Sequence, residues 1–278
     1  MGPFRSTFRR SLIVFLVLLP ARLLAGEAQN AFNEGIKFYR AGKYKESISS
    51  FSRAIKASPK ADEAYNNRGL AYSKLGQTEN ALKDYDEALK LNGKLTDAYV
   101  NRGNVYFALK QYDRAVKDYD EVVKTDTKLP HVYRQRGLAF NALGQFEKAV
   151  ADFNQAQKLD AKDPEVYYGR GVAYRRLGKN EQAAHDYSEA IKLDPKNAEA
   201  YNNRANANSL LGKYDEAIND YDTALKLDPK NAKIYANRGV IRARQGKSDE
   251  AQKDFRKAIE LDPSLKEKLE SFLRPNTK

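Results

Sequence analysis

Two residue types that often carry out covalent chemistry or bind metals, Cys and His, are absent or rare in this sequence. It contains no Cys, and its two histidines are His131 and His185. Without Cys the chain forms no disulfide, thiol nucleophile or cysteine-based metal site. The histidines lie far apart and no catalytic constellation accompanies them, so we expect neither to be catalytic nor to bind a metal. The sequence therefore predicts a protein that is not an enzyme and has no cofactor.

Arginine and aspartate instead recur with a fixed spacing. Arg68 precedes Asp84 by 16 residues, and this pair returns every 34 residues along the chain. The arginines are Arg68, Arg102, Arg136, Arg170, Arg204 and Arg238, and the aspartates are Asp84, Asp118, Asp152, Asp186, Asp220 and Asp254. In an antiparallel helical hairpin the two residues of a pair lie at the same height, where an exposed ion pair contributes ~0.2–1 kcal/mol. We interpret these residues as structural ion pairs and not as a phosphate-binding stripe.

The same 34-residue period organises most of the chain. The segment YNNRG at 65–69 returns as YVNRG at 99–103, and Tyr recurs at the matching place in later copies. Extending the frame gives seven units without insertion or deletion, at 28–61, 62–95, 96–129, 130–163, 164–197, 198–231 and 232–265. Such self-similarity is the signature of a repeat architecture. We number the residues of each unit as positions 1 to 34.

Several positions hold one kind of residue in nearly every unit. Position 8 is Gly or Ala, position 20 is Ala except at Ser47, position 24 is aromatic, and position 15 is Gly except at Lys110. Small residues allow two helices to approach closely, and Gly suits the turn between them. Asp163, Asn197 and Asn231 precede first helices, and we expect them to be N-caps.

These units resemble the tetratricopeptide repeat. The resemblance implies an all-α fold, a right-handed superhelical solenoid of antiparallel helix pairs with seven repeats. The segment 266–278 keeps apolar residues at helical spacing and looks like a C-terminal capping helix and tail that covers the last repeat.

In this family the first helix of each unit lines the concave surface, through positions 2, 5, 6, 9, 12 and 13, and these positions hold ten of the 20 Asn. Because a side-chain amide can donate to and accept from a peptide backbone, we favour peptide binding over a merely polar groove. The expected groove residues are Asn33, Asn67, Asn101, Asn104, Arg134, Asn141, Tyr168, Arg175, Arg176, Asn203, Asn206 and Asn237. We expect the position-6 amides to point into the groove and to contribute little to folding.

Charge on this face is ordered. Position 2 carries the acids Glu63, Asp97, Glu165 and Glu199, whereas positions 9, 12 and 13 carry the bases Arg40, Lys74, Arg175, Arg176 and Arg244. An acidic segment or a terminal carboxylate suits this floor. His131 and Arg134, together with Tyr168, Arg175 and Arg176, are expected to form its most distinctive patch. No unit has both the Lys at position 5 and the Asn at position 9 of the family's carboxylate clamp, so we do not predict that clamp.

The first 26 residues resemble a secretory signal peptide. Arg5, Arg9 and Arg10 precede the apolar run 12–19, and small residues follow at Ala25 and Gly26. The run is too short to span a bilayer, so we expect export to the periplasm with no stable membrane anchor, an uncleaved segment tethered to the inner membrane being the alternative. Loss of this segment lowers the net charge from +12 to about +8, which is moderate.

The favoured function is therefore a non-enzymatic scaffold that binds an extended peptide or protein segment, with no small-molecule substrate. Binding of a glycan strand through the Tyr and Asn of the groove is an alternative. The pI of 9.5 raises nucleic-acid binding as a further alternative, which export and the internally paired arginines disfavour.

Overall fold

The structure is a computed structural model that describes residues 26–273, so the expected signal peptide lies almost wholly outside the described residues. Every regular element in this range is helical. The helices are α1 (Gly26–Arg40), α2 (Tyr44–Ala57), α3 (Asp62–Lys74), α4 (Thr78–Leu91), α5 (Thr96–Ala108), α6 (Tyr112–Thr125), α7 (Pro130–Ala142), α8 (Phe146–Leu159), α9 (Pro164–Arg176), α10 (Asn180–Leu193), α11 (Ala198–Leu210), α12 (Tyr214–Leu227), α13 (Ala232–Arg244), α14 (Ser248–Leu261) and α15 (Lys266–Leu273). A 3-10 turn, Pro263–Leu265, precedes α15. The all-helical fold expected from the repeats is confirmed, and seven helix pairs match the seven repeats.

The chain divides into two compact units, one ending at Ala139 and one beginning at Phe140. Within each unit the two helices of a repeat pack on each other, and the second helix packs on the first helix of the next repeat. First helices of consecutive repeats also touch, as α3 touches α5 in the first unit and α11 touches α13 in the second. Each unit is therefore a stack of helical hairpins that presents its first helices side by side.

The hairpins close because of the residues at positions 8, 15 and 24. The seven position-24 aromatic rings are at most 1% exposed. A Cβ added at Gly103 would lie 2.8 Å from the ring of Tyr119, so position 8 must be small for the helices to meet. The position-15 glycines have φ between 72° and 77°, and Lys110 is held at φ 61° in the same turn. Lys110 therefore adopts a left-handed conformation that costs a non-glycine residue ~1–2 kcal/mol.

The expected N-caps are partly confirmed. Asp163 accepts a hydrogen bond from the backbone of Glu165, and Asn197 accepts one from Ala200. Asn231 stands at the N-cap position of α13 as expected, but its side chain makes no capping bond and its amide donates instead to Asp228 at 3.0 Å.

Helix α15 lies against the last repeat. Leu269 is 5% exposed and packs on the cluster that contains Phe255 and Ala258. The ring of Phe272 lies 5.2 Å from that of Phe255, and the backbone oxygen of Phe272 accepts from Gln252. This placement fits a cap, and the effect of the cap on stability stays a prediction.

Candidate functional site

Five arginines at position 7 form the expected ion pairs within their own repeats. Arg68, for example, donates Nε and Nη2 to the two oxygens of Asp84 at 2.8 and 2.7 Å. The same two-bond contact joins Arg102 to Asp118, Arg170 to Asp186, Arg204 to Asp220 and Arg238 to Asp254. These carboxylates are only 2–9% exposed, so the pairs are more buried than the sequence suggested. Arg136 and Asp152 lie in the same repeat but in different compact units, and their pairing stays a prediction.

Each of these arginines also reaches the preceding repeat, a contact that the sequence analysis missed. The remaining nitrogen, Nη1, donates to position 25 of that repeat, for example from Arg102 to Asp86 at 2.7 Å and from Arg204 to Ser188 at 3.0 Å. Burial lowers the pKa of Arg102, and its hydrogen bonds to Asp118 and Asp86 raise that pKa by more. Because Nε, Nη1 and Nη2 of these guanidinium groups all donate hydrogen bonds within the protein, the groups are not available to a partner.

Repeat one has no position-7 arginine, and a different ion pair replaces the missing one. Glu34 is held by Arg53, and the hydroxyl of Ser50 donates to Glu34 at 3.2 Å. The first repeat therefore keeps a charged link between its two helices.

The asparagines of the first helices do not behave as the sequence analysis expected. Asn66 and Asn67 are 0% exposed and Asn101 is 3% exposed. The amide of Asn101 on α5 donates to Asn66 on α3 at 3.1 Å, and Asn66 donates to Asn67 at 3.5 Å. The expectation that Asn67 and Asn101 point into open space is therefore wrong, because burial places them between helices, and their contribution to folding stays a prediction.

A similar network joins three repeats in the second unit. Asn237 donates to Asn202 and to Asn206, each at 3.3 Å, and Asn203 donates to the hydroxyl of Tyr168 at 2.9 Å. We call these two networks the asparagine ladder, which consists of Asn66, Asn67 and Asn101 in the first unit and Asn202, Asn203, Asn206 and Asn237 in the second. The ladder links consecutive first helices to each other.

Two asparagines at position 9, Asn104 and the ladder residue Asn206, accept hydrogen bonds from tyrosines of the core. Asn104 accepts from the buried hydroxyl of Tyr119 at 2.8 Å, and Asn206 accepts from Tyr221 at 2.7 Å. Positions 9 and 24 hold this Asn and Tyr combination only in repeats three and six. The joint occurrence of Asn with Tyr was the sequence signal for this internal role.

The other expected groove residues differ in exposure. Asn33 is exposed on α1 and accepts from Gln29 at 3.0 Å. Arg134 is 6% exposed in the first unit, where burial together with the charge of Arg134 lowers the pKa of His131 to about 4. Tyr168 is 7% exposed in the second unit and donates to Glu199 at 3.2 Å. His131 and Arg134 belong to the first compact unit and Tyr168, Arg175 and Arg176 to the second, so the patch expected from these five residues stays a prediction.

Two polar atoms of the second compact unit, one on α7 and one in the last turn of α9, have no hydrogen-bond partner among the described residues. Arg175 lies beside the hydroxyl of Tyr187, whose pKa is raised by burial to about 12 although the cation lowers it. Asn141 donates to the carbonyl oxygen of Gly169 at 2.8 Å, which fixes its amide orientation. Asn141 Oδ1 and Arg175 Nε are shielded from solvent and make no hydrogen bond to the described residues. One acceptor and one donor therefore remain to be satisfied on this face.

Position 13 ends every first helix and is exposed in all seven repeats. It holds Arg40, Lys74, Ala108, Ala142, Arg176, Leu210 and Arg244. Within residues 26–273 none of its four cations forms an ion pair, although Arg176 lies over the ring of Phe146 at 5.9 Å. These cations and Arg175 are among the charged groups that the first helices offer to a partner.

The potential metal ligands are dispersed in the described part of the chain. Between residues 26 and 273, no three His, Asp or Glu side chains are grouped so that they could hold a metal ion. His185 is mostly exposed on α10, with Nδ1 3.6 Å from a carboxylate oxygen of Asp186. Over the same range no helix is both long and apolar enough to cross a membrane.

Two repeat-family models match the chain. The model described as TPR repeat matches residues 35–76, 137–178, 173–212 and 209–246, and the model described as Tetratricopeptide repeat matches 62–95, 96–126 and 232–265. The chain therefore belongs to the tetratricopeptide repeat family. No curated protein sequence matches it significantly.

Solved structures share the fold. A tetratricopeptide repeat protein from Parabacteroides merdae is 22% identical with a TM-score of 0.64, over 89% of this chain and 97% of its own. YrrB, described as a TPR protein with an unusual peptide-binding site, is 23% identical with a TM-score of 0.60, over 66% of this chain and 94% of its own. MamA from Desulfovibrio magneticus is 22% identical with a TM-score of 0.59, over 63% of this chain and 99% of its own. The fold is one that is consistent with a scaffold for protein–protein interaction.

Proposed function

We propose that this protein is a non-enzymatic scaffold whose first helices bind an extended acidic protein segment. The observation that carries the proposal is the division of its arginines into two groups. Five of those at position 7 are held by buried carboxylates, whereas Arg175, Arg176 and Arg244 form no ion pair with the described residues. An arginine without a carboxylate partner is the side chain best suited to bind one, because its planar fork of donors matches both oxygens.

The polar atoms without a hydrogen-bond partner on α7 and α9 support a peptide as the ligand. Asn141 Oδ1 needs a donor and Arg175 Nε needs an acceptor. A peptide unit supplies both, an N–H and a C=O, and leaving buried polar atoms unsatisfied costs about 1–3 kcal/mol each. The peptide-binding site named for YrrB supports the same class of ligand. The asparagine ladder, in contrast, is occupied by internal hydrogen bonds, so we assign ligand contact to the cations and not to the amides of the ladder.

We also propose that the protein acts after export, in the periplasm. The support is the order of basic, apolar and small residues in the first 26 residues. The intact mass of the protein isolated from its own cells should correspond to loss of about 25 residues at a small-residue cleavage site. Recovery of soluble protein that still carries Met1 would refute export with cleavage.

Binding can be tested with a fluorescent peptide of alternating Glu and Ser, and with a Lys and Ser peptide as the opposite-charge control. Each charged hydrogen bond contributes about 1.5–3 kcal/mol, so the double variant Arg175→Gln, Arg176→Gln should weaken binding more than tenfold and flatten its salt dependence. The matched control is Lys253→Gln, Arg256→Gln, which removes the same charge from exposed residues of the second helix α14. Equal losses in both variants, or tighter binding of single-stranded DNA than of the peptide at physiological salt, would overturn the proposal.

A further inference from the structure

Leu210 is the most exposed large apolar residue of the described chain. Its side chain is 62% exposed, whereas the other exposed leucines and Phe272 lie between 37% and 43%. Single exposed leucines are common and need no explanation by themselves. The position of Leu210 in the repeat is what sets it apart.

The other exposed leucines stand where the repeat itself favours Leu. Leu109 is at position 14, and Leu159, Leu193 and Leu227 are at position 30, two positions that hold Leu in most units. Leu210 is at position 13, where the other six units have Arg, Lys or Ala. The repeat scaffold therefore does not account for an apolar side chain at this place.

Leu210 lies between two unpaired arginines. Position 13 of the preceding repeat is Arg176, and position 13 of the following repeat is Arg244. The ends of α9, α11 and α13 therefore present an arginine, a leucine and an arginine in turn. Helix α11 touches both α9 and α13 within the second unit, which makes the three side chains consecutive on one face. We call Arg176, Leu210 and Arg244 the position-13 row.

We infer that the position-13 row binds a peptide segment in which an apolar residue has one acidic residue three positions before it and another three positions after it. Adjacent packed helices lie ~10 Å apart. A peptide in the extended polyproline II conformation advances about 3.1 Å per residue with three residues per turn, so residues three apart face the same side and are about one step of the row apart. The arginines complement the acids, and Leu210 covers the central apolar side chain. This inference rests on the proposed function and adds the spacing of the recognised side chains.

The test uses a labelled peptide with the pattern Glu-Ser-Thr-Leu-Ser-Thr-Glu, with fluorescence anisotropy as the readout. Replacing the peptide Leu by Ser should weaken binding to the wild-type protein about tenfold, as expected for loss of part of a buried Leu side chain. In the Leu210→Ser variant this preference should fall below about twofold. Leu227→Ser, at an exposed leucine of the second helix α12, is the matched control and should keep the full preference.

The outcomes separate this inference from the proposed function. A peptide of the same composition with its two Glu and Leu adjacent should bind more weakly than the spaced peptide. If both peptides bind equally well, or if Leu210→Ser keeps the preference for Leu, the spacing inference is overturned while the binding of acidic segments stands. If neither peptide binds the wild-type protein, the proposed function fails and the inference fails with it.

Discussion

Replacing Asn104 by Val should destabilise the protein, because Asn104 accepts the hydrogen bond of a buried tyrosine. Tyr119 is 0% exposed and its hydroxyl lies 2.8 Å from Asn104 Oδ1, which also accepts from Gln135 at 3.3 Å. An unsatisfied buried hydroxyl costs about 1–3 kcal/mol, whereas Tyr119→Phe removes one hydrogen bond and should cost about 0.5–1.5 kcal/mol. The double variant recreates the Val240 and Phe255 combination of repeat seven, so it should be close to wild type.

The assay is urea unfolding followed by far-ultraviolet circular dichroism of the wild type, both single variants and the double variant. With the double variant close to wild type, the coupling free energy equals the sum of the two single costs, about 1.5–4.5 kcal/mol. Tyr85→Phe is the matched control, because position 9 of that repeat is Leu70 and the Tyr85 hydroxyl has no partner among the described residues. It should be neutral or stabilising. Additive single effects, or a Tyr85→Phe cost equal to that of Tyr119→Phe, would refute the internal role assigned to Asn104.

Three other perturbations test the scaffold. Lys110→Gly should raise the free energy of unfolding by about 0.5–1 kcal/mol because it removes left-handed strain, and no gain in urea unfolding would contradict this. Burial lowers the pKa of His131 to about 4. Its contribution to the free energy of unfolding is therefore expected to be complete above pH 6.5 and to fall by about 1–3 kcal/mol between pH 6.5 and 4. Urea unfolding of His131→Gln should lose this pH dependence, and a retained dependence would refute the assignment. Deleting residues 266–278 should lower the melting temperature or cause association, because Leu269 and Phe272 leave the last repeat, and an unchanged monodisperse protein would contradict a capping role.

Much of the scaffold could be predicted because each repeat fixes its own hairpin. The Arg68 and Asp84 pair follows from counting residues on either side of the turn, and the small residue at Gly103 follows from the aromatic ring that it faces. These are contacts within one repeat, so the sequence spacing determines them. For this reason the seven repeats expected from the sequence agree with the seven helix pairs of the structure.

The contacts between repeats were harder to predict. Position 5 of one repeat meets position 6 of the next, as Asn66 meets Asn101, and no spacing within a unit indicates how closely two first helices approach. A side-chain amide on a first helix can form hydrogen bonds with a ligand or with a neighbouring residue of the protein. Asn67 is buried, so its amide faces neighbouring residues. The Arg102 contact to Asp86 was missed for the same reason, since it also crosses from one repeat to another.

The most direct test of the acidic-segment proposal is to locate the bound peptide on the protein. A peptide of alternating Glu and Ser that carries a photo-crosslinking group can be bound, irradiated and mapped by mass spectrometry. The proposal predicts adducts in the last turns of the first helices α9, α11 and α13, near Arg175, Arg176 and Arg244. Adducts confined to the second helices α10, α12 and α14 would show that the first helices are not the binding face.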